Sequence, residues 1–256
     1  MLRDTLKDRT YYDEQIDFLT DVVNKRIKKI ASTDQFTDEV KMKASFRVVD
    51  YANTLMHQKY SRGDALTELK SDLTIALEYR QWQKHYADLL PPKEQKDRIQ
   101  WEELIEDGLE ETLHWFAFAY CLDMGQDYYQ KMLNLIANQG QDALFDNIAF
   151  KMGDTSREIA ESLLFKKRFG KLYKVIEGSP EQRPALVKAY LDAWYKLEGS
   201  PDYHLMDTDA YIGYWCWEAA LVVKLYNIDD SSFIDHEYYP KDLVHWQDNN
   251  QSLEAN

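Results

Sequence analysis

A chain of 256 residues with 45% hydrophobic and 30% charged residues can bury a substantial core, as one large domain or two small ones. Nine glycines and six prolines exclude collagen-like and low-complexity classes and disfavour all-β folds, leaving long helices. A net charge of −14 argues against a general nucleic-acid binder and against docking on anionic lipid, and two cysteines supply neither a disulfide framework nor a four-Cys zinc site.

The first residues, MLRDTLKDRTYYDE, lack the apolar core of a secretory signal. No run of about 18 apolar residues follows, so the expectation is a cytoplasmic protein without a membrane span. From Tyr12 to Ile30 the apolar positions Tyr12, Ile16, Leu19, Val22, Val23, Ile27 and Ile30 step by threes and fours, which predicts a helix. Asp34 or Thr37 can cap the next, over Val40–Tyr60, with Phe46, Val49, Ala52, Leu55 and Met56 on its apolar stripe. Gly63-Asp64 restarts the pattern, and Leu66–Leu90 runs to the stop at Pro91-Pro92.

A fourth helix is predicted from about Asp97 to Leu122, with shorter pieces at 126–138, 141–151 and 155–165. Another reads from 181 to 197, between Gly178-Ser179-Pro180 and Gly199-Ser200-Pro201. The last strong one is 208–226, apolar nearly all round and therefore central. Glu218 is its odd group, a carboxylate that needs a Tyr hydroxyl, an Arg or a backbone donor. The expected architecture is all-α, a compact multi-helix array around a central aromatic-rich C-terminal helix. Its organisation divides into an N-terminal region, 1–138, and a C-terminal region, 139–256, packed as one unit.

Catalytic signatures are scarce. No dinucleotide or phosphate loop, nucleophile elbow or His-Glu-x-x-His occurs. Cys121 and Cys216 sit among aromatic and aliphatic neighbours and read as buried small hydrophobes. Glu111-Thr-Leu-His114 is a Glu-x-x-His, but di-metal bundles need two such motifs and two further glutamates. Asp242-Leu-Val-His245 repeats only the spacing, in a short Pro-led segment, and His114 reads as a core or capping histidine. The expectation is a protein with no catalytic residue, no metal and no cofactor. The basic stretch Lys166–Lys174 reads as a solvated helix face pairing with acids elsewhere.

Charge is unevenly spread. Residues 198–256 hold twelve acids against two lysines, whereas residues 1–60 are nearly balanced. A second concentration has two rows, Glu102, Glu106, Glu110 and Glu103, Asp107, Glu111, whose like charges at i,i+4 cost a helix about 0.2–0.5 kcal/mol per pair. The plain reading of both is solvated surface; the alternatives are a face for a basic partner or a metal site.

Tyr211–Lys224, with Tyr238-Tyr239-Pro240 and Asp242-Leu243-Val244-His245, resembles the C-terminal signature of the PoNi immunity proteins, which neutralise PoNe-type DNase toxins. Leu2-Arg3-Asp4 and Tyr11-Tyr12-Asp13 through Ile16 resemble the family's opening, so the likeness touches both ends; Lys241 stands where the family pattern has an aromatic. The resemblance implies a non-enzymatic, mostly helical cytoplasmic protein. Its partner would be a nuclease of the PD-(D/E)xK class, delivered between bacteria through type VI secretion. It implies no interface residues position by position, and the aromatic tail motifs read as fold determinants. Composition agrees, since a DNase attracts phosphates with a basic surface that an acidic inhibitor can occupy. The candidate partner-binding residues are Asp202, Asp207, Asp209, Asp229 and Asp230, then Glu102, Glu103, Glu106, Asp107, Glu110 and Glu111. Tyr128 and Tyr203 are candidate aromatic anchors. A metal-dependent helical-bundle enzyme and a helical adaptor for another basic protein are the alternatives. The oligomeric state stays open.

Overall fold

A computed structural model describes residues 1–32, 36–96, 98, 104–136 and 138–247. Helices dominate, and no strand forms among the described residues. The chain divides into two units. The first comprises Met1–Glu103, Asn134–Ala137 and Asp202–Gly213; the second comprises Leu104–Leu133, Asn138–Pro201 and Tyr214–Asn256.

The first unit is built on three long helices, α1 (Arg9–Ala31), α2 (Asp38–Arg62) and α3 (Leu69–Leu89). Asp8 caps α1 by accepting the Tyr11 N–H at 2.9 Å, and Tyr12, Ile16, Leu19, Val23 and Ile30 form its buried stripe. Thr37 caps α2, whose buried face carries Met42, Val48, Val49, Ala52, Leu55 and Met56. Helix α2 packs against both α1 and α3, and the Lys59 ammonium bonds the buried Asp72 carboxylate at 2.7 Å between α2 and α3. Gly63 ends α2 at φ 90°, a left-handed position suited to glycine. A Cβ there would lie 1.8 Å from the Met1 carbonyl oxygen, so this glycine also lets the N-terminal segment cross the helix end.

The second unit holds α4 (Glu106–Cys121), α5 (Gln126–Leu133), α6 (Ala143–Met152), α7 (Lys166–Glu177), α8 (Arg183–Leu197), α9 (Trp217–Tyr226) and α10 (Lys241–Val244). Helix α9 is its centre: Trp217 through Val223 and Leu225 are all buried, and it packs against α4, α6, α8 and α10. Aromatic pairs knit the core, with Phe118 against Trp217 at 4.5 Å and Phe116 stacked on Phe145 at 5.9 Å. The tail motif locks this arrangement. The Tyr238 carbonyl accepts the Cys216 N–H at 2.8 Å, and the buried Tyr239 hydroxyl donates to Asp230 at 2.8 Å. Lys241 is exposed and reaches Asp235 at 2.6 Å.

Three expected elements differ. The expected fourth helix is interrupted at Ile105, which is extended (φ −97°, ψ 166°), and α4 runs from Glu106; residues 97 and 99–103 of its expected span lie outside the described residues. Residues 155–165 are irregular. Asp142 accepts the Leu164 N–H at 2.8 Å, and Asp146 accepts the Ala160 N–H at 3.0 Å and the Arg157 Nε–H at 2.6 Å. These carboxylates satisfy the loop where a helix would have satisfied itself. Residues 208–216 are not helical either. The Tyr211 carbonyl accepts from the Tyr11 hydroxyl at 2.8 Å and from Gln58 Nε2 at 3.0 Å, the Ile212 carbonyl accepts from the Ser61 hydroxyl at 2.8 Å, and Gly213 sits at φ 97°.

Candidate partner-binding surface

Four of the candidate residues fall in the segment that the first unit borrows from the C-terminal half of the chain. Its base is fixed by buried polar contacts. Asp4 accepts from the Tyr12 hydroxyl at 2.8 Å, from the Tyr211 hydroxyl, and from the Leu6 N–H at 2.9 Å. Burial pushes the Tyr11 hydroxyl above its ordinary range, and the nearby charge of Asp209 adds to the shift against the Tyr211 carbonyl bond. On that base stands a 3₁₀ turn, Tyr203–Leu205, entered through Asp202 at φ 49°. Aspartate is among the few side chains that tolerate this backbone region. Asp202, Asp207 and Asp209 are exposed, and so are three apolar side chains between them: Tyr203 is 42% exposed, Leu205 74% and Met206 44%. The Lys7 ammonium touches the turn at the Met206 carbonyl, 3.4 Å away.

The other candidates divide between surface and core. Glu106 and Asp107 are exposed in the first turn of α4, where their charge complements the helix N-terminus, and Glu111 is exposed one turn later. Glu102 and Glu103 lie outside the described residues. Asp229 is exposed, and its carboxylate accepts the Ser231 N–H at 3.0 Å, which holds it below the usual carboxylate range. Asp230 is buried, bonded to Tyr239 and, at 2.7 Å, to His245 Nε2. Tyr128 is buried and accepts the Trp115 indole N–H at 2.9 Å. Glu110 turns inward.

Its destination is a polar cluster in the second unit. Glu218, fully buried on α9, accepts from the Tyr190 hydroxyl at 2.7 Å and from the Trp194 indole at 2.8 Å, both on α8. His114 Nε2 lies 3.5 Å from the other Glu218 oxygen and 3.6 Å from Glu110. The Arg168 guanidinium joins Glu110, at 2.8 Å, to Glu198. Three carboxylates thus face one guanidinium and one imidazole. Burial, with the charges of Glu218 and Glu110, pushes Glu198 up to about 9. Burial also raises Glu110. For Glu218, burial is outweighed by His114 and the Tyr190 bond, which hold it down at about 2. Within the cluster, then, burial disfavours the charged forms of Glu198 and Glu110, whereas the donors around Glu218 favour its charged form.

Sequence reasoning singled out Glu218 and anticipated a Tyr hydroxyl for it; it missed Glu198 and the inward turn of Arg168. It also missed Leu205 and Met206, whose only signal is apolarity between aspartates. The Glu-x-x-His does not converge, since Glu111 is exposed while His114 faces Glu110 and Glu218. Among the described residues no three His, Cys, Asp or Glu side chains are arranged to hold a metal ion. Cys121 and Cys216 are buried, and burial pushes the Cys121 thiol up to about 12. Of the basic stretch, Arg168 pairs with acids, whereas Lys166, Lys167, Lys171 and Lys174 form an exposed face of α7.

Two family models match consecutive parts of the chain. One, for the N-terminal part of the PoNe immunity protein (PoNi), covers residues 3–137; the other, for the C-terminal part of the PoNe immunity proteins, covers residues 140–243. Among solved structures the chain is similar to protein PA2201 from Pseudomonas aeruginosa, with a TM-score of 0.73 and 20% identity over 95% of this chain and 89% of that one. At that identity the likeness concerns the fold alone. No curated protein matches the sequence.

Proposed function

The chain belongs to the PoNe immunity protein family, and we propose that it binds a cognate PoNe DNase delivered between bacteria by type VI secretion and blocks its cleavage of DNA. The observation that carries this reading is the pair of family matches, which together take in nearly the whole chain from residue 3 to 243. The exposed acids give it a physical route. A DNase must present lysines and arginines to phosphate. An inhibitor with a net charge of −14 approaches such a surface along complementary potential, which speeds association and keeps DNA away once bound. Of the exposed candidates, Asp202, Tyr203, Asp207 and Asp209 are the contact residues we assign; Glu106, Asp107, Glu111 and Asp229 are exposed acids outside that contact. The inhibitor works in the cytoplasm, and no described helix is long and apolar enough to cross a membrane. No step of this function asks catalysis of the chain.

The test mixes the purified chain with the product of the gene immediately upstream of its own and follows plasmid degradation. Protection that saturates near a molar ratio of one supports the reading. Binding without protection replaces it with an adaptor role, and failure to bind refutes it.

A further inference from the structure

We propose that the turn Tyr203–Leu205, extended by Met206 and rimmed by Asp202, Asp207 and Asp209, is the element that seats on the basic surface of the partner nuclease. The inference rests on the family reading and names the contact within it.

Exposed apolar side chains on a soluble protein carry meaning when they are contiguous. Here three occur within four residues, and Leu205 is among the most exposed large hydrophobic residues of the chain. No lysine or arginine occurs between Asp202 and Gly213, while three aspartates do. An apolar centre inside a polar rim is the anatomy of a protein-binding hot spot, and Tyr is among the residues enriched there. The rim's sign selects the occupant: three carboxylates repel nucleic acid and anionic lipid and attract a surface built to hold phosphate.

The chain beyond the turn is anchored: side chains of Tyr11, Gln58 and Ser61 take the carbonyls of Tyr211 and Ile212, and Asp4 takes the Tyr211 hydroxyl. Anchoring that end shortens the stretch left to order on association.

The other exposed acids fit less well. Among the described residues, the exposed apolar neighbour of Glu106 and Asp107 is Ile105, just before α4, and Glu110 is committed to Arg168. Asp229 is bonded to its own loop.

The experiment measures binding to, and protection against, the same upstream gene product. Leu205→Ser with Met206→Ser removes the apolar centre. Asp207→Lys with Asp209→Lys reverses the rim. Glu106→Lys with Asp107→Lys is the control on α4. All six side chains are exposed, and circular dichroism with thermal melting verifies each fold. The serine pair is expected to weaken binding about 30-fold or more, the hot-spot threshold, mainly through faster dissociation. The lysine pair on the rim is expected to slow association about tenfold at low salt, with the gap closing as salt rises. The α4 pair is expected to change either rate less than threefold. If the wild-type chain protects DNA and both turn variants protect equally, this contact is overturned and the family reading stands. If the wild-type chain neither binds nor protects, both fall. If the α4 pair abolishes protection and the turn variants do not, the interface lies on α4.

Discussion

Replacing Glu218 by alanine removes the shared acceptor of two donors that have no water to turn to. Tyr190 is fully buried and Trp194 nearly so, and both donate to one Glu218 oxygen at 2.7 and 2.8 Å. Leaving a buried donor unmade costs about 1–3 kcal/mol, so two cost roughly 2–6 kcal/mol, with a small cavity added. Part is returned, because Glu218 is a negative charge that raises Glu198 and Glu110 in the same cluster. The expected net loss is about 2–4 kcal/mol, a large share of the ~5–15 kcal/mol typical of a folded protein. At this chain length it lowers Tm by roughly 5–15 °C. Glu218→Gln keeps an oxygen for both donors and forfeits only the charge, so its expected cost is smaller than that of alanine. Urea unfolding followed by circular dichroism, with Tm alongside, separates them. An alanine variant within 1 kcal/mol of wild type, or a glutamine variant as damaged as alanine, refutes the argument that Glu218 acts as the acceptor for α8.

Stability should depend on pH in two opposed limbs. Glu198, raised to about 9, keeps its proton in the folded state while the unfolded chain releases it, so its contribution is full below the ordinary carboxylate range and is lost as pH rises toward 9. Glu198→Gln should flatten that loss, gaining on wild type at pH 9 relative to pH 5 in urea midpoints. Glu218, lowered to about 2, contributes above the ordinary range and loses its contribution as pH falls toward 2, so Glu218→Gln should flatten the acid limb. Parallel profiles for wild type and both variants would remove the cluster from the account. Arg157→Met leaves Asp146 as a buried carboxylate without its cation, at an expected cost of about 3–5 kcal/mol. Hydrogen exchange at Ala160, whose N–H that carboxylate accepts, should quicken. Both cysteines are buried, so a thiol reagent should label neither in the native protein and both in urea.

The long helices of the first unit were legible because their causes are local. Tyr12, Ile16, Leu19 and Val23 repeat along one face of α1, Thr37 caps α2, and Pro91 follows the end of α3. Each needs only neighbours a few residues away. The segment 208–216 carried the same apolar period, yet it is not a helix. Its carbonyls are taken by Tyr11, Gln58 and Ser61, more than 150 residues distant in sequence, and no periodic count includes them. The stretch 155–165 misled for a related reason, since Asp142 and Asp146 reach forward to its N–H groups. Helix α7 was legible as a basic helix face, but its buried stripe, Phe169, Leu172 and Val175, is interleaved with lysines and was not. For the candidate surface, acidity was visible but its distribution was not. Glu110 and Asp230 look like Asp107 and Asp229 in the sequence and differ only in what folding puts beside them.

That distinction changes what the net charge of −14 can do. Asp4, Asp72, Asp142, Asp146, Glu218 and Asp230 are buried, each with a donor or cation at hydrogen-bond distance. Their charge is spent within the fold and contributes little at the distances where a partner is steered. Approach is governed by exposed carboxylates within about one screening length, roughly 10 Å at 0.1 M salt. On the 202–209 turn these are Asp202, Asp207 and Asp209, next to Leu205 and Met206. The two kinds of residue act at different moments. On the proposed contact the aspartates would set how fast a basic partner arrives and make that rate fall with salt, and the apolar pair, once desolvated, would set how slowly it leaves. An immunity protein must outrun a nuclease already among its DNA and then stay on it. If the proposed contact holds, a turn that places both properties within eight residues divides the two demands between separate side chains, and the serine and lysine variants should therefore fail in different rate constants.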